Sequence, residues 1–270
     1  MSDMTIGQYY PGHSMLHRLD PRMKLVLTLL FIVVVFLPRN WVGLAAAALF
    51  LAVVIGLSRL PVKLMWRSVK PILLLVAFTS LLNMFYVTGG TPLLDVGLIH
   101  ITSRGVSSAV FIAARIFCLI MGSSLLTYTT TPTALTDAIE YLLKPLRVIR
   151  VNAHDIAMMM TIALRFIPTL MEETDKIMSA QKARGADMDS GNLLQRVRAL
   201  IPVLIPLFVS SFRRAYELAM AMECRCYQGG DGRTRMKQLR TARRDWIALA
   251  VYAAAAVGIL CLNRIFPAVL

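Results

Sequence analysis

Long apolar runs dominate the hydrophobic pattern of this chain. Five runs are candidates for membrane-spanning helices: Leu25–Leu37, Trp41–Leu57, Pro71–Val87, Gly105–Thr127 and Trp246–Leu262. The first run has only 13 residues, fewer than the ~20 that a helix needs to cross a bilayer. We therefore expect its helix to begin near Pro21, with Arg22 and Lys24 snorkelling to the interface. Pro38–Asn40 would then turn the chain into the second helix.

A second pattern fills residues 128–245, where apolar and charged stretches alternate. Thr131 and Pro132 are typical of an N-cap and a first helical position. Helical spacing follows, with one apolar and one charged face: Leu135, Ile139, Leu142, Leu143 and Leu146 against Asp137, Glu140, Lys144 and Arg147. Because this region is too basic for membrane spans, we expect its helices on the cytoplasmic side.

Two longer helices are predicted in the same region, over Val151–Arg184 and Leu193–Gln228. Each begins apolar, ends charged and carries an arginine close to a glycine stop, Gly185 in the first and Gly229-Gly230 in the second. An arginine in a last turn is favoured by the helix dipole. Two in equivalent settings indicate guanidinium groups presented to a soluble partner, because guanidinium pairs well with carboxylates and carbonyls.

Composition agrees with a membrane protein. Hydrophobic residues make up 57% of the 270, charged residues 16%, and the mean hydropathy is +0.64. A chain this apolar has too little polar surface to cover a soluble globule. The net charge of +14 indicates a basic cytoplasmic face. Nucleic-acid binding is the weaker explanation, because no aromatic residues interleave the charge.

The distribution of basic residues predicts the orientation. With the N-terminus inside, the short inner segments hold seven basic residues and the outer loops three: Arg18, Arg22, Lys24, Arg59, Lys63, Arg67 and Lys70 against Arg39, Arg104 and Arg264. This asymmetry favours an N-in, C-out topology. No signal peptide is expected, since residues 1–22 have no apolar core. The predicted fold is all-α and polytopic, with about five membrane-spanning helices and three helices on the cytoplasmic side. Region 1–130 would hold four of the spans, region 131–244 the cytoplasmic-side helices and region 245–270 the last span.

The predicted spans contain one charge, Arg115, and no acidic residue. In lipid this arginine would cost roughly 2.5–3.5 kcal/mol, so it is expected to face the bundle interior or a partner. It would contact a partner or internal carbonyls, or else snorkel or make a structural hydrogen bond. Coupled transporters usually keep an ionisable group at membrane depth, and none but Arg115 is present.

Candidate metal or redox chemistry is sparse. His13 and His17 are four residues apart, but Pro11-Gly12 before them favours a structural role. Cys224 and Cys226 have no two further ligands beside them in the sequence. We expect the four cysteines to be reduced thiols, and no cofactor.

Four segments resemble the transmembrane T component of energy-coupling factor (ECF) transporters, a branch of the ABC importers. They are Tyr10–Lys24; Thr130–Pro132 with Leu135–Ala138; Ile162–Pro168 with Gln181–Gly185; and Ala219–Tyr227 with Gly229-Gly230 and Gly232–Arg235. Together they cover most of the chain in order.

The resemblance implies a non-enzymatic scaffold in a bacterial plasma membrane. Its two short docking motifs match Ala183-Arg184-Gly185 and Cys224-Arg225-Cys226. In the family, these arginines are thought to insert into grooves of two cytoplasmic ABC ATPases. The second motif departs from the family, because both of its flanking residues are cysteine.

A separate small membrane protein, the S component, would bind the vitamin or metal ion and pack on the same helices. Flexible methionines suit such a surface, although ordinary core packing explains them equally well: Met158, Met159, Met160, Met220 and Met222. Three alternatives stay open: a conventional ABC permease that binds its own substrate, a secondary transporter, and a membrane-embedded enzyme.

Overall fold

The computed structural model describes residues 9–86, 92–96, 99–145, 152–186, 192–229, 239 and 241–266. The elements in chain order are α1 (Pro21–Phe36), α2 (Trp41–Ser58), α3 (Val62–Val69), α4 (Leu73–Tyr86), β1 (Pro92–Val96), β2 (Ile99–Thr102), α5 (Ser103–Thr129), α6 (Pro132–Leu143), α7 (Ala153–Ala183), α8 (Leu193–Cys224) and α9 (Arg243–Ile265).

The predicted helical class is confirmed, with one small addition. Strands β1 and β2 form an antiparallel hairpin between α4 and α5, a region for which no strand was predicted. Parts of the predicted pattern lie outside the described residues: Leu146 and Arg147 of the amphipathic helix, Gly230, and the Gly232–Arg235 segment.

The chain divides into two compact units. The first combines Met1–Ala138 with Gln238–Leu270, and the second is Ile139–Lys237. The first thus contains α1 to α5 and α9, while α7 and α8 make up most of the second. The boundary falls within α6, whose first turn is capped as expected, because the Thr131 hydroxyl accepts the Ala134 N–H at 3.3 Å.

The expected number of about five membrane spans is confirmed, but its membership changes. Among the described helices, α2, α5, α8 and α9 are long and apolar enough to cross a bilayer, and α3 with α4 makes a fifth if this pair, bent by 54°, is one broken span. With 16 residues, α1 is shorter than that group. Helix α8 meets the length and composition of a span in spite of its charges, because these lie mainly outside its apolar middle. Its cytoplasmic-side position stays a prediction.

Helix α5 forms the centre of the first unit, because α1, α2, α3 and α4 all pack against it. Phe111 and Cys118 on α5 are buried. Helix α1 comes close at Gly122, where an added Cβ would overlap the ring of Phe31. A side chain at Gly122 would therefore displace this ring from the α1–α5 contact.

The start of α1 differs from its prediction. The helix begins at Pro21 as expected, capped by Asp20, whose side chain accepts the Arg22 N–H at 2.9 Å. Lys24, however, does not snorkel. It is buried, and its ammonium donates to the carbonyl oxygens of Thr129 at 2.8 Å and His17 at 3.2 Å. Lys24 therefore ties α1 to the last residue of α5, where carbonyls lack intrahelical partners.

A polar cluster closes the opposite end of this unit. Asn40 is buried, accepts the Gly43 N–H at 2.7 Å as the N-cap of α2, and donates to the carbonyl of Leu262 at 3.1 Å. Asn263 on α9 donates to the Leu37 carbonyl at 3.2 Å. The α1–α2 turn is thereby fastened to the end of α9.

Arg115 belongs to the same end, and the expectation that it faces the interior is confirmed. Its Nη2 donates to the carbonyl oxygen of Pro38, and its guanidinium lies 4.8 Å from the ring centroid of Phe111. The guanidinium thus has an internal partner and an aromatic face, so its contacts are those of a structural residue.

Substituting Asn40 tests this cluster. We expect Asn40→Ala to lower the free energy of unfolding by about 1–3 kcal/mol, because it removes a cap and leaves buried carbonyls unpaired. The measurement is thermal or denaturant unfolding in detergent. Arg39→Ala is the control, since Arg39 is exposed and its hydrogen bond to Asn263 uses only the backbone N–H. Equal stability of the two variants would contradict the assignment.

Candidate functional site

The first candidate arginine caps helix α7. The Arg184 N–H donates to the carbonyls of Ala180 and Gln181, and Gly185 follows in the left-handed conformation with φ 84°. The Gly185 N–H then donates to the Lys182 carbonyl at 3.0 Å, and the Ala186 N–H to the Gln181 carbonyl at 3.0 Å. These two bonds form a Schellman motif, so the predicted stop at Gly185 is confirmed.

The second candidate arginine caps α8 in the same way, but earlier than predicted. Helix α8 ends at Cys224 with Arg225 as its C-cap, not at Gln228. The Cys226 N–H donates to the Glu223 carbonyl at 2.8 Å, and the Tyr227 N–H to the Met222 carbonyl at 3.0 Å. Cys226 has φ 55° and takes the position of Gly185 in the first motif.

Both motifs therefore place their arginine at the same point of the same backbone turn. Arg184 and Arg225 are both exposed, as a partner contact requires. The flanking Ala183, Gly185, Cys224 and Cys226 are exposed too. None of the residues of either motif is thus buried in the interior of its own unit.

Helices α7 and α8 pack as an antiparallel pair. The Tyr227 hydroxyl donates to Met158 Sδ at 3.0 Å at one end, and Gln181 Nε2 donates to the Pro202 carbonyl at 3.4 Å at the other. At ~1.5 Å per residue these contacts are about 35 Å apart along α7. Arg184 and Arg225 follow the C-terminal ends of oppositely directed helices, so they lie at opposite ends of the pair.

An ionic cluster joins the two helices between these ends. Glu173 on α7 accepts hydrogen bonds from the Ser210 hydroxyl and from Arg214 Nη2 on α8, the latter at 2.8 Å. Hydrogen bonding from Ser210, helped by the charge of Arg214, lowers the pKa of the Glu173 carboxyl against the opposing effect of desolvation. Glu173 is therefore ionised at neutral pH.

The predicted methionine surface is only partly exposed. Met159, Met160 and Met220 are exposed, at 60%, 37% and 43%. Met158 and Met222 are half-buried, and the sulfur of Met158 accepts the Tyr227 hydroxyl. Met158 therefore contributes to packing within the helix pair, and the first three methionines carry the exposed surface.

A larger apolar surface on α8 was not singled out from the sequence. Its members are exposed and recur at helical spacing: Leu194, Val197, Ile201, Leu204, Ile205, Phe208, Val209, Phe212 and Tyr216. We call these residues the α8 stripe. Phe208 and Phe212 stack with centroids 6.4 Å apart. The spacing of four between many members was the signal that could have identified it.

Metal ligation by the two N-terminal histidines is not supported. Nε2 of His17 donates to the Tyr10 carbonyl at 3.0 Å, and Nδ1 accepts from the Ser14 hydroxyl at 2.6 Å, so both ring nitrogens have protein partners. Burial lowers the pKa of His17, which favours the neutral ring that this pattern needs. Within the described part of the chain, no group of three or more potential ligands could hold a metal ion.

Comparison with known proteins identifies the family. A family model described as "Cobalt transport protein" (CbiQ) matches residues 12–237. The chain belongs to this family.

Curated relatives of this CbiQ-family chain are named "Energy-coupling factor transporter transmembrane protein EcfT". The protein of Ruminiclostridium cellulolyticum is 52% identical over 264 residues, covering 98% of each chain. That of Thermosediminibacter oceani is 52% identical over 258 residues, covering 96% of this chain and 97% of its own. The Bacillus subtilis protein is 47% identical over 257 residues, covering 94% and 97%. The resemblance seen in the sequence is thus confirmed along nearly the full chain.

The left-handed cysteine gives a test of the second cap. We expect Cys226→Val to be less stable than Cys226→Gly by about 1–2 kcal/mol, because a side chain at φ 55° crowds the backbone and glycine does not. Unfolding in detergent measures the difference. Cys224→Val is the control, because Cys224 lies within the helix. If valine at 226 matches glycine, the left-handed cap does not form.

Proposed function

We propose that this chain is the transmembrane scaffold of an ECF-type importer in a bacterial plasma membrane, with its N-terminus inside. It would couple ATP hydrolysis by two cytoplasmic ABC ATPases to movement of an S component that carries a vitamin or metal ion. Family membership supports the transport role, and the names of the relatives support the assignment to an ECF transporter.

The proposed contact with the ATPases is supported by one observation: the same arginine-capped helix end occurs twice. Arg184 and Arg225 occupy identical positions in two Schellman motifs, are exposed, and lie at opposite ends of an antiparallel helix pair. Two separated, equivalent contact points fit two copies of one type of partner, or two homologous partners. Guanidinium groups would bind carboxylates or backbone carbonyls in each ATPase.

The S component is assigned to the α8 stripe and the exposed methionines. Apolar side chains without cover mark a protein or lipid contact, and the thioethers of Met159, Met160 and Met220 can adapt to more than one partner. In this scheme the S component packs on helices α7 and α8, which join the two ATPase contacts. A movement of the ATPases at either helix end would therefore be transmitted directly to the S component.

The alternatives have less support. A permease that binds its own substrate needs a polar site within its spans, whereas Arg115 has its partner in the Pro38 carbonyl. A secondary transporter usually keeps an ionisable residue at membrane depth, and the five predicted apolar runs of this chain contain no acidic residue. A membrane-embedded metalloenzyme would need a group of metal ligands. The described residues contain no such group, and Nε2 of His17 donates to the Tyr10 carbonyl.

Charge reversal tests the ATPase contact. We expect Arg184→Glu with Arg225→Glu to abolish co-purification of the ATPases, because each carboxylate would repel the groups that bind the guanidinium. Pull-down from co-expressed membranes measures capture. The matched control is Arg196→Glu with Arg213→Glu, which makes the same charge change at exposed positions within α8. Undiminished capture by the first double variant would refute docking through these arginines.

Photo-crosslinking tests the methionine surface. A photoreactive residue in place of Met159 or Met220 should form a covalent adduct with the S component, because both positions are exposed. Met158 is the control, since its sulfur already contacts Tyr227 and should give mainly adducts within the chain. Adducts with lipid alone at positions 159 and 220 would assign this surface to the bilayer. Mass spectrometry of the adducts separates these results.

A further inference from the structure

A cavity of about 430 Å³ lies within the first unit. Its walls are contributed by α1, α2, α5 and α9 and by the segment before α1. The volume falls in the range of small-ligand sites. Most lining residues are apolar, among them Leu27, Leu51, Leu125 and Val251, so the cavity suits a hydrocarbon chain.

One end of the cavity is cationic. Lys24 and Arg244 line it there together with Thr129, the last residue of α5. Among the described lining residues none is acidic. The Lys24 ammonium donates to two neutral carbonyl oxygens and has three donors in all. This end therefore combines positive charge with hydrogen-bond donors, as an anionic headgroup requires.

Two carboxylates lie close to this end without lining the cavity. Asp20 and Asp245 are buried near Lys24, and the oxygens of Asp245 accept the N–H groups of Asp20 at 2.9 Å and Ala242 at 2.7 Å. Asp245 is thus used to join the starts of α1 and α9. Arg244 beside it is exposed, which leaves its guanidinium available for a phosphate.

The mouth of the cavity is apolar. Val53, Leu57 and Val251 line the cavity and are also more than half exposed, at 54%, 52% and 52%. These residues belong to α2 and α9, both long and apolar enough to cross a bilayer. The cavity therefore opens where acyl chains lie, and its cationic end lies where α1 and α9 begin.

We propose that this cavity binds one acyl chain of an anionic phospholipid whose phosphate contacts Lys24 and Arg244. The match is one of shape and charge: an apolar volume opening to the bilayer, and cations at the level of the headgroups. Basic pockets between membrane helices bind anionic lipid headgroups elsewhere for the same reason. The bound lipid would join α2 and α9 through the volume between them. The site lies wholly in the first unit, whereas the proposed contacts with the ATPases and the S component are assigned to the second.

Native mass spectrometry of the full chain, delipidated in detergent and titrated with phosphatidylglycerol, tests the proposal. We expect one saturable lipid per chain, and Arg244→Gln to weaken binding about tenfold, the loss of one charge-assisted hydrogen bond. The matched control is Arg243→Gln, an exposed neighbour that does not line the cavity. Equal binding by the two variants, or by phosphatidylcholine and phosphatidylglycerol, overturns the proposal.

The acyl-chain half of the site has its own test. Ala248→Phe fills the cavity and should abolish the single saturable lipid, while Ala250→Phe, exposed and outside the lining, should not. Without any variant, dihexanoyl phosphatidylglycerol should bind at least tenfold more weakly than the dioleoyl form. Equal affinity for both chain lengths, or displacement of the lipid by soluble glycerol phosphate, shows a phosphate site only and overturns acyl-chain binding.

Discussion

Satisfying the backbone groups at helix ends is the constraint on which this structure depends. Terminal N–H and C=O groups have no intrahelical partner, and in an apolar setting water does not replace one. The two units satisfy these groups in different ways. In the first unit, long-range side chains add to the local N-caps: Lys24 donates to the end of α5, Asn40 to the end of α9, and Arg115 to the α1–α2 turn. These few contacts set which helix ends meet.

In the second unit the chain satisfies the ends of α7 and α8 locally, through two Schellman motifs. The side chain of the capping residue is not needed for this cap, because backbone hydrogen bonds alone close the turn. Arg184 and Arg225 can then be exposed without loss of the cap. The same physical need therefore buries cations in one unit and presents them in the other.

Much of this could be predicted from the sequence, and the failures have physical causes. Helices α2, α5 and α9 follow from continuous apolar runs, and the cap at Thr131 and the stop at Gly185 from local chemistry. The end of α8 was predicted too late, because a cysteine adopts the conformation that glycine normally supplies. Lys24 was placed at the interface, because its carbonyl partner in Thr129 is 105 residues away in the chain and no local pattern records it. The antiparallel pairing of α7 with α8 depends on tertiary contacts for the same reason.

The Glu173 cluster has a mechanical consequence. It joins α7 and α8 near their middles, whereas the arginines lie at the outer tips. Together with the contacts of Tyr227 and Gln181 on either side, this cluster holds α7 and α8 against each other over most of their length. A force applied at either arginine would therefore displace both helices as one body, together with any protein packed on their sides.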